Sequence, residues 1–140
     1  MRLVIDTDVI VAAMRSPTGT SAALLIYVLR GRADLLLSVA LVLEYEAICM
    51  LAEHRLAAKA SERDVRNLLD SLIDIAEPVE VHYQWRPQLK DAGDEMVLEA
   101  AVNGSADFIV TFNRKDYKDA PARFGIEILS PQEMLKRIRK

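Results

Sequence analysis

The 140-residue sequence predicts an α/β fold: a three-layer α/β/α sandwich around a parallel sheet of four or five strands. Two observations carry that expectation. Short β-branched runs, Leu3-Val4-Ile5 and Phe108-Ile109-Val110, look like strands buried on both faces, and each stops abruptly at polar residues. Helix-length segments separate such runs, and strand–helix alternation implies right-handed crossovers and a parallel sheet. In open α/β sheets the ligand sits beyond the carboxyl ends of the strands. The ends at Asp6-Thr7-Asp8 and Thr111–Asp116 therefore predict a carboxylate-lined crevice.

Composition sets the outer bounds. The chain is 51% hydrophobic and 28% charged, which suits one globular domain spanning 1–140. A net charge of −3 means that any nucleic-acid contact needs a local basic patch. Cys49 stands alone, so no intramolecular disulfide or cysteine metal cluster can form, and its apolar helical context suggests a small core residue. No apolar run approaches the ~18 residues of a membrane span, and no signal-peptide core opens the chain. A cytoplasmic address is expected.

The elements follow in order. Residues 2–6 form the first strand, with Asp6 placed to cap the helix that follows. Ser16–Thr20 is a turn cluster leading into a helix over about 20–30, which Gly31 ends in the left-handed manner. Leu35–Leu37 is the second strand, and 40–54 reads as one helix, apolar nearly all round and hence deeply packed. Ser61 and Asp64 give a box-like start to a helix over 62–75, which Pro78 stops before a weak third strand at Val79–Val81. Residues 82–91, with Trp85 and Pro87, read as a loop, and 94–103 as a helix ending near Asn103-Gly104. Strands at 107–111 and 126–129 lead to Ser130-Pro131-Gln132-Glu133, a helix start with N-cap Ser, Pro at the first position and Glu at the third.

Chemistry concentrates in the acids. Asp6 closes an apolar strand, and helix capping does not explain a second acid at Asp8. Asp91, Asp94 and Glu95 open the 94–103 helix, where first-turn acids are ordinary; Glu99 lies one turn on and can simply face solvent. Glu44 and Glu46 interrupt an apolar helix, so at least one should have a cation partner, and periodicity does not say which. His54 and His82 are isolated and read as structural or surface residues. Ser16, Ser21 and Ser38 lack a nucleophile-elbow context, and no glycine-rich phosphate loop follows the first strand. Arg15, Arg114, Lys115 and Lys118 bracket the crevice, with Arg15, Arg114 and Lys115 the candidate phosphate contacts, while Lys136, Arg137, Arg139 and Lys140 complement the end of the last helix.

With those residues in place, the chain resembles the PIN-domain nucleases, and among them the toxin components of prokaryotic toxin–antitoxin modules. The resemblance runs through Leu3–Asp8, Ser38–Leu51 with Leu43-Glu44-Tyr45-Glu46, Asp91–Glu95 with Leu98–Ala101, Ala106–Thr111 and Ser130–Leu135. It favours Glu44 over Glu46. It implies a Mg²⁺- or Mn²⁺-dependent ribonuclease with Asp6, Glu44 and Asp94 as metal ligands. Asp116 is then the candidate fourth acid, because Asn113 stands where many members have Asp, and one helical turn would bring Asp116 to its side. Asp8 stands where the family often has Asn. Asp8, Asp91, Thr111 and Asn113 are expected to support the ligands or to orient a water or phosphate. Implied partners are an RNA substrate and a cognate antitoxin; a homodimer is plausible on the same ground, though no seam is legible.

Two rival readings accompany this one. The strand-Asp-x-Asp pattern also resembles haloacid-dehalogenase-type phosphatases, although Val9 stands where that motif carries Gly. Alternatively, the fold is kept as a binding or regulatory module that has lost one acid at Asn113.

Overall fold

Leu3, Val4 and Ile5 of strand β1 (Arg2–Ile5) are fully buried in the computed structural model, which describes residues 1–82 and 89–140. Successive strand residues face opposite sides of a sheet, so helices must cover both faces at this point. Leu35 and Leu36 of β2 (Asp34–Leu37) and Ile109 and Val110 of β4 (Phe108–Val110) repeat the pattern. With β3 (Glu77–Pro78) and β5 (Glu127–Leu129) they form a five-stranded parallel sheet, ordered β3-β2-β1-β4-β5. The chain builds outward from β1 to β3, then returns to add β4 on the other side of β1. The switch point therefore lies between β1 and β4, where a ligand crevice is expected.

The helices are α1 (Thr7–Arg15), α2 (Thr20–Leu29), α3 (Val39–Cys49), α4 (Ala52–Ala58), α5 (Glu62–Ile75), α6 (Ala92–Asn103), α7 (Ala120–Arg123) and α8 (Pro131–Arg139). A 3₁₀ turn, Arg114–Tyr117, follows β4. The capping boxes at Ser61/Asp64 and Ser130/Glu133 both form, and Pro131 takes the first position of α8. Gly31, at φ +78°, supplies the left-handed residue after α2.

Three expectations are corrected. The helix over 40–54 is two helices: α3 ends at Cys49, and Leu51 turns extended before α4 begins. No Pro or Gly marks the break, so periodicity carries no sign of it. Arg55 Nε donates to the freed Met50 carbonyl at 3.1 Å and makes the break tolerable. Nor is α3 deeply packed. Only Leu41, Tyr45 and Cys49, a stripe at four-residue spacing, are buried; Val39 is 76% and Leu43 59% exposed. The surplus apolar side chains line an open groove with Ile73, Ala76 and Pro78.

The third strand is Glu77–Pro78, not Val79–Val81. It lies at the sheet edge, where the missing Pro78 N–H costs nothing, and Val79 N–H donates to the Leu37 carbonyl at 2.9 Å. The expected loop at 82–91 falls largely outside the described residues, including Trp85 and Pro87.

Candidate active site

Asp6 leaves β1 at the switch point and occupies the N-cap position of α1, yet its side chain caps no amide of that helix. Its Oδ2 instead accepts from Thr111 Oγ1 at 2.7 Å and from Tyr117 Oη at 2.9 Å. Thr111 follows β4, the strand hydrogen-bonded beside β1, so register brings the two side chains together: Ile5 pairs with Val110, and Asp6 N–H donates to Val110 O at 2.9 Å. Burial pushes the Asp6 carboxyl above the ordinary carboxylate range, while the two hydroxyls pull it back.

Asp8, in the first turn of α1, faces the same strand end. Its Oδ2 accepts from Asn113 Nδ2 at 2.8 Å and Phe112 N–H at 3.1 Å, with Thr111 Oγ1 at 3.4 Å. Its Oδ1 is buried without a hydrogen-bond partner. Burial first and the Asp6 charge second push this carboxyl up to about 6. Thr111 has a single hydroxyl hydrogen, and the short contact assigns it to Asp6. Its oxygen accepts from Asn113 N–H at 3.0 Å. Thr111 thus bridges Asp6 and the backbone after β4.

The start of α6 brings the next acids. Asp91 Oδ1 accepts from the amides of Gly93 at 2.7 Å and Asp94 at 3.3 Å, which makes Asp91 the N-cap. Asp94 is half-buried and pushed up to about 7, first by burial and then by the charges of Asp6, Asp91, Asp116 and Asp8. Asp91, Asp94 and Asp116 line one cavity, within electrostatic reach of one another. Glu44 reaches the same helix end from α3: a Cβ added to Gly93 would stand 3.2 Å from Glu44 Oε1. Glu46 points elsewhere and pairs with Arg66 at 3.0 Å. Structure thus resolves what periodicity left open. The cation partner belongs to Glu46, and Glu44 goes to the acidic end of α6.

Asn113 and Asp116 do form one turn, Asp116 N–H donating to Asn113 O at 3.0 Å. The turn is 3₁₀, and the two side chains diverge. Asn113 points to Asp8, whereas Asp116 lines an open cavity of about 400 Å³ with Lys90, Asp91, Asp94, Lys115 and Lys118.

Other candidates fall away from the crevice. Arg15 ends α1, roughly 13.5 Å along its axis from Asp6 at 1.5 Å per residue, and its Nη1 lies 3.4 Å from His54 Nδ1. Arg114 is engaged by Glu133 at the start of α8. His82 pairs with Glu80 at 3.0 Å. Buried Glu95 accepts from Leu89 N–H at 2.6 Å, and burial raises half-buried Glu99. Cys49 is a buried thiol pushed up to about 11 by that burial.

Three residues beside the candidate site escaped the sequence reading. Tyr117 is fully buried against Asp6, and Tyr45 donates its hydroxyl to the Ile5 carbonyl, tying α3 to the end of β1 beside Glu44. Lys90 was missed as a cavity-lining cation. A tyrosine four residues past Asn113 is a weak signal, and only the fold shows which hydroxyl meets which acid.

The sequence matches the PIN domain over residues 2–115. The chain belongs to the PIN-domain family. That membership sets aside the haloacid-dehalogenase reading. The fold is also that of a chain of the VapBC2 complex from Rickettsia felis, solved bound to a DNA fragment from its promoter. The TM-score is 0.63 at 13% identity, covering 93% of this chain and 98% of that one. No curated protein matches the sequence.

Proposed function

We propose that this PIN domain is a Mg²⁺- or Mn²⁺-dependent endoribonuclease and the toxin of a toxin–antitoxin pair. The observation that carries the reading is the convergence of acids at the switch point: Asp6 and Asp8 meet at Thr111, Asp91, Asp94 and Asp116 line one cavity, and Glu44 reaches the start of α6. Carboxylates crowded in this way repel one another and become tolerable with a divalent cation among them. The donor set fits a hard ion. It is all oxygen, with neither thiolate nor imidazole, and the buried Asp8 Oδ1 still lacks a partner.

Asp6, Glu44 and Asp94 would hold the ion, with Asp116 on the cavity wall. Among the described residues no three acidic, histidine or cysteine side chains enclose an ion as they stand, and Glu44, Asp94 and Asp116 all keep some solvent exposure and hence rotamer freedom. With the ion bound, phosphate polarisation and water activation become available at this crevice. The chain's own residues do the rest. Thr111 and Tyr117 fix Asp6, and Tyr45 fixes the approach of α3. Lys90, Lys115 and Lys118 offer positive charge to a phosphate backbone beside the acids.

RNA as the substrate follows from the family resemblance. An antitoxin partner is supported by the assembly in which the VapBC2 relative was solved, and a homodimer by the resemblance alone. Among the described residues no single helix is long and apolar enough to cross a membrane, in keeping with the cytoplasmic address proposed. The test is cleavage of a structured RNA with Mg²⁺, with chelator, and in Asp6→Asn and Asp94→Asn, alongside calorimetric Mn²⁺ titration. Cleavage that needs the metal and both acids supports the reading; unchanged Mn²⁺ affinity in both variants would reject it, and would favour a binding module.

A further inference from the structure

We infer that Asp8 is a metal-facing acid and carries the charge that Asn113 lacks. The inference rests on the reading of the crevice as a metal site. A carboxylate offers about four lone-pair positions, and here all the donors fall on one oxygen. Asn113 Nδ2 at 2.8 Å and Phe112 N–H at 3.1 Å reach Oδ2, with Thr111 Oγ1 further off at 3.4 Å. Oδ1 is buried with no donor at all. The Val9 amide, next along α1, donates to the Asp6 carbonyl at 3.0 Å and favours the ionised Asp8 carboxylate from there without completing a hydrogen bond to Oδ1. A buried oxygen without a partner costs free energy that a hard cation removes by coordination.

The contacts to Oδ2 act as a clamp. They come from the backbone and side chain directly after β4, so they fix the carboxylate in rotation and leave Oδ1 as its reactive face. Asn113 is then no vestige of a lost acid. Asp8 and Asn113 form one carboxylate–amide pair with a single negative charge, and the charge sits on the α1 side of the crevice instead of the β4 side. Because Asp8 is mostly shielded from solvent while Asp116 is exposed, its charge is screened less and weighs more on an ion in the crevice.

The test uses four isosteric variants of the full chain: Asp8→Asn, Asp116→Asn, Asp6→Asn and the exchange Asp8→Asn/Asn113→Asp. Mn²⁺ and Mg²⁺ affinity are read by calorimetry, and thermal unfolding in chelator confirms folding. Asp8→Asn is expected to weaken binding by roughly tenfold or more, more than Asp116→Asn does, without lowering the stability of the metal-free protein. The exchange is expected to recover most of the lost affinity by returning a carboxylate to the pair. Affinity unchanged in Asp8→Asn but lost in Asp6→Asn overturns the assignment of Asp8 alone, and so does an exchange variant no better than Asp8→Asn. Affinity unchanged in Asp6→Asn as well rejects the metal site itself.

Discussion

Tyr117 donates its hydroxyl to Asp6 Oδ2 at 2.9 Å, joining residues 111 apart in sequence inside the core. The phenol is fully buried, and burial together with the Asp6 charge holds its pKa far above the ordinary range, so it keeps its proton. It can only donate. Thr111 takes the other position on the same oxygen, so two hydroxyls hold Asp6 Oδ2 in place.

Tyr117→Phe removes that hydroxyl and little else. Losing a hydrogen bond to a charged group should destabilise the protein by about 1–3 kcal/mol. If the contact also orients Asp6, Mn²⁺ affinity should fall several-fold, whereas a purely structural tyrosine would leave it unchanged. Calorimetry and denaturant unfolding on the same sample separate the two roles.

Much of this site was legible before the fold was known, and the boundary has physical causes. Asp6 was legible because a buried strand ending in an acid has a fixed address in a parallel sheet. Glu44 and Glu46 could not be separated by spacing, because α3 buries only the stripe Leu41, Tyr45, Cys49 and leaves both acids at intermediate depth. The break between α3 and α4 left no trace because its cap, Arg55 on Met50, is a side-chain contact. Asn113 was seen as a departure, but its partner lies 105 residues away, beyond any local pattern.

Glu44 and Glu46 should differ sharply. Glu44→Gln is expected to abolish metal-dependent cleavage, because it removes the acid that α3 brings to the start of α6. Glu46→Gln only breaks the exposed pair with Arg66, worth less than about 1 kcal/mol, and should keep most activity. Steady-state cleavage rates decide it, and the reverse pattern would mean that α3 presents its other acid.

Asp116 and Asn113 should also separate. Asp116→Asn deletes a charge that lines the cavity with Asp94 and helps raise it. Asn113→Ala deletes a neutral donor, leaving Phe112 N–H on Asp8. Asp116→Asn should therefore reduce cleavage at limiting Mg²⁺ more than Asn113→Ala, while Asn113→Ala should cost about 1 kcal/mol of stability from the lost hydrogen bond. An Asp116→Asn enzyme that is fully active at low Mg²⁺ would leave Asp116 no part in the site.

Metal-free stability should depend on pH in a direction opposite to that of an ordinary paired carboxylate. Asp94 is pushed up to about 7 from a reference of 3.8, burial being the main cause and the Asp6 charge the next. Between those values the folded protein holds a proton that the unfolded chain has released. Stability must then fall as pH rises through this window, and Asp8, raised to about 6, adds to the fall in the same sense. Asp94→Asn removes the larger contribution. In chelator, the melting temperature of Asp94→Asn relative to the parent should climb from about pH 4 and level off above pH 7. Mn²⁺ binding runs the other way: it requires the ionised acids, so it should weaken as pH drops below 7 and release protons on binding. Melting curves across that range, with chelator and with saturating Mn²⁺, test both halves. A difference between parent and variant that stays flat with pH would show that Asp94 ionises normally and that the acids do not crowd.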